Sequence, residues 1–228
     1  MSMVNDTHRF VFLHVAKTGG RSINLLLKGR YGRDGVFNTK RLDPNVDRLG
    51  RMLGLEARAF VGEDRWNDYF TFAFARNPWD RAVSIFEHMR TDFQASLTHP
   101  AGKMTGKAQL LVSIGQALQV GPLDLTFTRF IHDILRDRAI ENYHWDLQSN
   151  ALTDRRGQVL FDFIGRFERL QQDFDLICDR LGLAQEKLPH FNRSKRNAWP
   201  EYYAPQTMRV ISKIYAEDFE LLGYAAPR

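Results

Sequence analysis

The sequence predicts one α/β domain over residues 1–228, with a P-loop-like parallel sheet flanked by helices. Three short apolar segments, at 10–15, 69–75 and 159–165, are each followed by a turn and a helical pattern of apolar residues. Repeated strand–turn–helix units are typical of parallel sheets that are covered on both faces. A chain of 228 residues is also long enough to bury one substantial core.

The first strand candidate, residues 10–15, runs into the segment AKTGGRS, and a helical pattern begins at Ser22. Gly19 and Gly20 permit backbone conformations closed to other residues, so successive N–H groups can converge on one point. The start of the helix adds its own unpaired N–H groups, and Lys17 adds a full positive charge. This junction predicts a pocket for an anion such as phosphate.

The second strand candidate, residues 69–75, ends at Arg76 and is followed by the start of a helix. Asn77 can cap that helix, and Pro78 fits its first position. One face of the helix is apolar, and another carries Asn77, Arg81, Ser84 and His88. Because ligands of open α/β sheets lie beyond the carboxyl ends of the strands, Lys17 and Arg76 are expected to meet at one ligand.

The remaining elements are predicted from periodicity and from turn residues. A third strand is predicted at 159–165. Helices are predicted at 125–135, 168–181 and 205–222, of which the last two end at a glycine. Residues 98–107 are rich in Thr, Gly, Pro and Lys, which predicts a mobile surface loop. The terminus around His8 is expected to fray.

Composition narrows the range of functions. The net charge of +5 and the pI near 9.4 suit an anionic ligand. The basic residues are dispersed without a nucleic-acid-binding signature, so nucleic acid is not an expected partner. No apolar run approaches the roughly 18 residues of a membrane span, and the first ten residues lack a secretory apolar stretch. Cys178, the only cysteine, falls on an apolar helical pattern, which predicts a buried thiol and a cytoplasmic location.

Five segments carry a resemblance to a known family. HVAKTGGRS, FARNPWDRAVSIF, NYHWDLQ, DFIGRFERL and LPHFN follow one another in this order. Together they resemble sulfotransferases that use 3′-phosphoadenosine 5′-phosphosulfate (PAPS), especially the carbohydrate branch, which includes chondroitin-modifying enzymes and bacterial relatives. The likeness spans nearly the whole chain, including the ending YAEDFELLGY.

The resemblance implies PAPS as the donor, no metal, and an acceptor hydroxyl on an oligosaccharide or a saccharide-bearing small molecule. The residues implied to hold the 5′-phosphosulfate are Lys17, Thr18, Gly19, Gly20, Arg21 and Ser22. Lys17 would stabilise the charge that builds on the leaving 5′-phosphate. Arg76 and Ser84 are implied to contact the 3′-phosphate, with Arg76 as a forked partner.

The catalytic base is the least determined role. A histidine, with an ordinary pKa of about 6.5, is suited to take the proton of an attacking hydroxyl. His144 matches the family's histidine–tryptophan stretch and is the first candidate. His14 and the acidic residues Glu168 and Asp146 are alternatives. Residues 49–53 contain no histidine, although many relatives carry one in the segment before the second strand.

Several basic residues have two interpretations. Arg21 stands where relatives carry a small hydroxyl residue, and it could add a donor to the phosphosulfate or reach an acidic acceptor. Arg81 is interpreted as structural, pairing with Glu87 or with a neighbouring strand end. The basic cluster at 193–196 either closes over the nucleotide or lies in a solvated loop. Arg166 either lies near the nucleotide or orients the sheet edge.

Two rival functions follow from the same features. A nucleotide kinase or triphosphatase would share the fold, but its loop GxxxxGK[ST] places lysine after the glycines, whereas Lys17 precedes them. No Mg²⁺-binding carboxylate is evident at a strand end of the sequence. A non-catalytic basic module that binds an acidic polymer predicts steep salt dependence without preference for a nucleotide.

Overall fold

The structure is a computed structural model that describes residues 2–32, 53–97, 126–136, 143–189 and 196–225. The strands are β1 (Met3–Asn5), β2 (Phe10–Leu13), β3 (Phe70–Ala75) and β4 (Phe163–Arg166). The helices are α1 (Gly20–Tyr31), α2 (Gly54–Val61), α3 (Glu63–Asp68), α4 (Pro78–Leu97), α5 (Phe127–Arg129), α6 (Gln148–Leu152), α7 (Leu170–Leu181), α8 (Pro205–Ile214) and α9 (Ala216–Leu222). A π-helical segment, Phe130–Arg136, continues α5, and 3₁₀ turns lie at Tyr143–Trp145, Phe167–Arg169 and Trp199–Tyr202.

The four strands form one sheet in the order β1-β2-β3-β4. β2, β3 and β4 run parallel, with Phe12 opposite Phe72 and Phe72 opposite Phe163. β1 is antiparallel to β2. The predicted α/β class is confirmed, and the carboxyl ends of β2, β3 and β4 lie at one edge of the sheet.

Both faces of the sheet are covered, which explains the nearly continuous apolar runs of the strands. Side chains alternate between faces along β2 and β3. The first face packs against α1 and α7 through Phe10, Phe12, Phe72 and Phe74. The second face packs against α2 and α3 through Val11, Leu13, Ala73 and Ala75.

A separate apolar cluster holds α4 in place at the end of β3. Trp79, Val83 and Phe86 on α4 pack with Phe130, and with Ile211 of α8. The predicted cap at the start of this helix is confirmed, since Trp79 N donates to Asn77 Oδ1 at 3.0 Å. The apolar face of α4 therefore fixes the direction in which its polar face projects.

The N-terminus does not fray as expected, because the segment before His8 forms β1. The β1 residues Met3 and Val4 are buried, and the strand pairs with β2. The turn is closed by His8 N, which donates to Asn5 Oδ1 at 2.7 Å. The sequence pattern over three residues is too short to signal this pairing.

Two predicted boundaries are wrong. The third strand begins at Phe163 rather than at 159, because Asp162 turns its carboxylate to the edge of β3 and accepts from Thr71 N at 2.7 Å. The predicted helix at 205–222 is two helices that meet at Tyr215, whose hydroxyl donates to Trp145 O at 2.8 Å.

The predicted helix at 168–181 opens with a 3₁₀ turn and is α-helical from Leu170. The predicted ends at Gly182 and Gly223 are confirmed, with left-handed φ angles of 63° and 64°. Cys178 is buried and free, which confirms the predicted buried thiol, and burial raises the pKa of this thiol to about 11. Among the described helices, none is both long and apolar enough to cross a membrane. The loop predicted at 98–107 lies outside the described residues.

Candidate functional site

The loop between β2 and α1 has the backbone conformation of a tight turn into a helix. Gly19 precedes α1 in the left-handed conformation, with φ 84°. Lys17 also has a positive φ, 69°, which is uncommon for a residue with a side chain and is found mostly at sites under external constraint. Ser22 N donates back to Gly19 O at 3.0 Å. The N–H groups of Gly20 and Arg21 lie in the first turn of α1, before the regular hydrogen bonds of the helix begin.

The two glycines of the loop are needed for different reasons. At Gly19 the positive φ requires glycine, as the sequence predicts. At Gly20 the reason is a close approach, because a Cβ atom there would lie 2.2 Å from Cδ2 of His14. The loop is also in contact with the β4–α7 connection, where a Cβ on Gly19 would lie 2.9 Å from Leu170.

Thr18 is 1% exposed, and its hydroxyl donates to Val15 O at 2.9 Å. Its side chain therefore closes the loop from inside, and its backbone N–H is the group it can offer to a ligand. Ser22 is also buried, whereas Arg21 is exposed. The described loop thus offers backbone donors, with Lys17 and Arg21 at its border.

His14 lies beneath the loop and is neutral. Burial, together with nearby positive charge that includes Lys17, lowers the pKa of its imidazole from 6.5 to about 3. Its Nδ1 lies 3.4 Å from Nδ2 of Asn24. A group with this pKa is a weak proton acceptor at neutral pH, which disfavours His14 as the base.

The structure joins the two predicted junctions through Arg76. Arg76 is 5% exposed, and its Nη1 donates to Lys17 O at 3.1 Å. Its Nε donates to Asp80 Oδ2 at 2.8 Å, and its guanidinium carbon lies 3.8 Å from the centroid of the Phe167 ring. Burial lowers the pKa of Arg76, although Asp80 opposes this effect. Arg76 thus joins the end of β3 to the backbone of the Lys17 loop, and their meeting at one ligand stays a prediction.

A second arginine shares Asp80. Arg196 Nη2 donates to Asp80 Oδ1 at 2.5 Å, so one carboxylate lies between the guanidinium groups of Arg76 and Arg196. Nη1 of Arg196 is buried without a hydrogen-bond partner among the described residues. Of the predicted basic cluster, residues 193–195 lie outside the described part of the chain.

The polar face of α4 carries Ser84 and His88, both half-buried. One turn separates them, and the ring of His88 contacts the ring of His144 edge-on, with centroids 5.7 Å apart. The structure therefore brings His144 to the same face of α4 as Ser84. His88, which the sequence places on the polar face of this helix, is part of this surface.

Arg81 is 2% exposed and binds carbonyl groups from two segments. Its Nε donates to Ala16 O at 3.1 Å, just after β2. Its Nη2 and Nη1 donate to His144 O at 2.9 Å and Asp146 O at 2.8 Å. The predicted pairing with a neighbouring strand end is confirmed.

The alternative pairing of Arg81 with Glu87 is wrong. Glu87 instead accepts from Arg90 at 2.8 Å and from the Tyr202 hydroxyl at 2.8 Å. The contact with Arg90 lies within α4, and the contact with Tyr202 joins α4 to the 3₁₀ turn at Trp199–Tyr202.

Gln148 and Asp218 are linked to Arg76 by hydrogen bonds in the structure, and the sequence predicts a role in the site for neither residue. The Gln148 side chain accepts from Arg76 N and donates to Arg76 O, both at 2.9 Å. Asp218 accepts from Gln148 N at 3.0 Å and from Ser149 N at 2.8 Å. The one sequence signal for Asp218 is its place next to Phe219 on the inward pattern of the last helix.

Glu168, one of the alternative bases, uses both carboxylate oxygens in the fold. It accepts from Asn77 N at 2.7 Å and from the Tyr224 hydroxyl at 2.8 Å. The pKa of the Tyr224 hydroxyl is raised, mainly by burial and secondly by the hydrogen bond to Glu168. Glu168 thus secures the turn after Arg76. Arg166 donates to Leu222 O at 2.7 Å, which favours its orienting role at the sheet edge.

The arrangement can hold an anion against a helix start and a lysine, with two arginines beside it. Within the described residues, no group of three or more His, Cys, Asp or Glu side chains is arranged to hold a metal ion. The absence of metal from the reaction remains a prediction.

Comparison with known proteins identifies related chains. Residues 1–225 match the profile of the sulfotransferase family. Carbohydrate sulfotransferase 14 of Danio rerio is 26% identical over 241 residues, which cover 99% of this chain and 62% of the relative. Carbohydrate sulfotransferase 12 of Xenopus laevis is 30% identical over 258 residues, which cover 99% and 60%. Carbohydrate sulfotransferase 9 of Homo sapiens is 26% identical over 240 residues, which cover 98% and 53%.

The chain thus spans about three fifths of the length of the first two relatives. No solved structure matches it significantly.

Proposed function

This chain belongs to the sulfotransferase family, and from that premise we propose that it transfers a sulfuryl group from PAPS to a hydroxyl of a saccharide or a saccharide-bearing small molecule. The observation that carries the proposal is the bond from Arg76 to the carbonyl of Lys17, 3.1 Å long, which joins the two cationic junctions at one sheet edge. PAPS has anionic groups on both sides of its nucleoside. The names of the relatives, carbohydrate sulfotransferases, support a saccharide acceptor.

The residues present fit the donor. Two guanidinium groups share one carboxylate, that of Asp80, so one positive charge is left uncompensated within this triad. The buried Nη1 of Arg196 has no partner among the described residues, and an unsatisfied buried donor is costly. A phosphate oxygen would supply both the missing charge and the missing acceptor. Arg76, Ser84 and Arg196 would hold the 3′-phosphate, while the loop N–H groups would hold the 5′-phosphosulfate.

The donor supplies an activated sulfuryl group, and the protein's own residues supply charge, position and a proton acceptor. Lys17 lies at the loop that would hold the 5′-phosphate, where its ammonium would oppose the negative charge that grows as the bond to sulfur breaks. His144 would take the proton of the acceptor hydroxyl. Its backbone carbonyl accepts from Arg81 Nη2 at 2.9 Å, which fixes the main chain of His144 beside the proposed site.

Thermal melting with nucleotides tests the proposal. At a hundredfold excess over Kd, 3′,5′-ADP should stabilise the fold by about 2.7 kcal/mol. For a chain of this size that is a rise in Tm on the order of 5–10 °C. ATP with Mg²⁺ should raise Tm much less, because it lacks the 3′-phosphate that Arg76 and Arg196 would contact.

Equal shifts with ATP and 3′,5′-ADP would contradict the proposal and favour a kinase. A shift that disappears steeply with salt and does not depend on the nucleotide would favour a basic binding module. Transfer of labelled sulfate from PAPS to a panel of oligosaccharides then tests the acceptor class directly.

A further inference from the structure

Arg81 connects two parts of the proposed site that are far apart in the sequence. Its guanidinium donates to Ala16 O, next to Lys17, and to the carbonyls of His144 and Asp146. The three distances, 2.8–3.1 Å, are those of good hydrogen bonds. One planar group therefore sets the positions of both segments.

The segment at 144–149 is fixed through its main chain at further points. Tyr215 donates to Trp145 O at 2.8 Å. Asp218 accepts from the N–H groups of Gln148 and Ser149. Arg81 itself lies 4.0 Å from the Asp218 carboxylate, so the buried charge has a nearby counter-charge. These bonds anchor the backbone of the segment through its carbonyl and N–H groups.

The chemistry of arginine matters here. A guanidinium has five N–H donors in one rigid plane and can bind three acceptors at fixed relative angles. Lysine has a single nitrogen on a flexible stem and cannot reproduce that geometry. Because Ala16 O and His144 O are bound to the same plane, a displacement of one segment relative to the other must break one of these hydrogen bonds.

We propose that Arg81 is a positioning residue that fixes the loop of Lys17 relative to the segment of His144. The catalytic consequence rests on the proposed function, because it assumes that Lys17 and His144 act on one reacting group. The structural consequence does not depend on it. The two segments should lose rigidity together when the guanidinium is removed.

The test is the variant Arg81→Lys, with Arg90→Lys on the same helix as the matched control. Arg90 is exposed and paired with Glu87, so its substitution should change nothing. In Arg81→Lys, amide hydrogen exchange should accelerate at both 16–22 and 144–149, while the sheet strands keep their protection. The kcat for sulfuryl transfer should fall about 100-fold, the effect of a misplacement of about 1 Å. The Kd for 3′,5′-ADP should change less than about fivefold.

Each departure from this pattern overturns the proposal. Exchange that rises in one segment alone removes the coupling, and exchange that rises throughout the chain makes Arg81 a general packing residue. An unchanged kcat in Arg81→Lys overturns the positioning role. If the wild-type protein transfers no sulfuryl group, the proposed function fails, and the exchange data still decide whether Arg81 couples the segments.

A second variant, Asp218→Asn, covers the case in which Arg81→Lys does not fold. It weakens the anchoring of Gln148 N and Ser149 N but leaves the bond from Arg81 to Ala16 in place. Exchange should then accelerate at 144–149 and not at 16–22, with a lower kcat and an unchanged Kd for 3′,5′-ADP. Acceleration at both segments, or an unchanged kcat, overturns the proposal.

Discussion

Lys17 shows at the scale of one residue how the fold prepares the site. Its φ of 69° costs on the order of 1–3 kcal/mol for a residue with a side chain. Two bonds oppose that cost, from Arg76 to Lys17 O and from the Thr18 hydroxyl to Val15 O. The sequence reasoning assigned Arg76 and Thr18 to the ligand alone, and the structure gives both an internal role as well.

Substitutions at Lys17 and Arg76 should separate chemistry from binding. Lys17→Ala should lower kcat with little change in the Kd for 3′,5′-ADP, because the charge that Lys17 meets grows only in the transition state. Arg76→Ala should weaken 3′,5′-ADP binding by roughly 2–5 kcal/mol, since it removes a charged forked donor. Calorimetric titration and steady-state kinetics measure the two effects. A Lys17→Ala variant with intact kcat and reduced affinity would contradict the role given to Lys17.

His144→Ala should lower kcat by roughly 10²–10⁴-fold and leave the affinity for 3′,5′-ADP nearly unchanged. The variant should still fold, because Arg81 binds the backbone carbonyl of residue 144, and alanine retains that carbonyl. His132→Ala is the matched control, since His132 lies beside Arg136 on a different segment. A folded His144→Ala enzyme that keeps more than about a tenth of the turnover would remove His144 from the mechanism.

At the scale of elements, the loop from β2 to α1 is held between two supports. His14 lies under Gly20, and Leu170 and Phe167 lie against Gly19. Neither support can be predicted from the loop sequence. The turn in that sequence explains why Gly19 is a glycine, but nothing in it explains why Gly20 is one. The imidazole contact is a matter of tertiary packing.

The half-buried His14 should make the fold sensitive to acid. Its pKa is about 3 in the folded chain and about 6.5 when unfolded, so below pH 6.5 the unfolded chain binds a proton that the folded chain does not. Stability that is complete above pH 6.5 should fall toward pH 3 by about 1.4 kcal/mol per pH unit from this group.

His14→Phe keeps a ring of similar size against Gly20 and removes the titrating nitrogens. Urea unfolding at several pH values should then show a shallower loss of stability in the variant. The same slope in wild type and variant would mean that His14 does not contribute to acid sensitivity.

The remaining elements show which signals are local. The glycine stops at Gly182 and Gly223 and the cap at Asn77 depend on one or two neighbouring residues, and they were predictable. The start of β4 and the break at Tyr215 depend on bonds to Thr71 and Trp145, each about 70 or more residues away. The spacing of apolar residues along the sequence cannot predict partners that lie so far away in the chain.

For the whole molecule, the parallel sheet and the meeting of Lys17 with Arg76 follow from the chain order of the strand–turn–helix units. The details of the site do not follow, because they depend on buried ionic contacts between distant segments. Asp80 receives Arg196 from 116 residues away, and Asp218 receives Gln148 from 70 residues away. Each of these residues, taken locally, has the pattern of an ordinary polar surface residue.

The anchoring of residues 144–149 through main-chain atoms has an evolutionary consequence. Hydrogen bonds to carbonyl and N–H groups place few demands on side-chain identity, so the anchoring of this backbone does not depend on which side chains it carries. The side chains of Trp145 and Gln148 are buried and do not share this tolerance. Under the proposed function, the same backbone frame could therefore be kept while the side chains that it presents change with the acceptor.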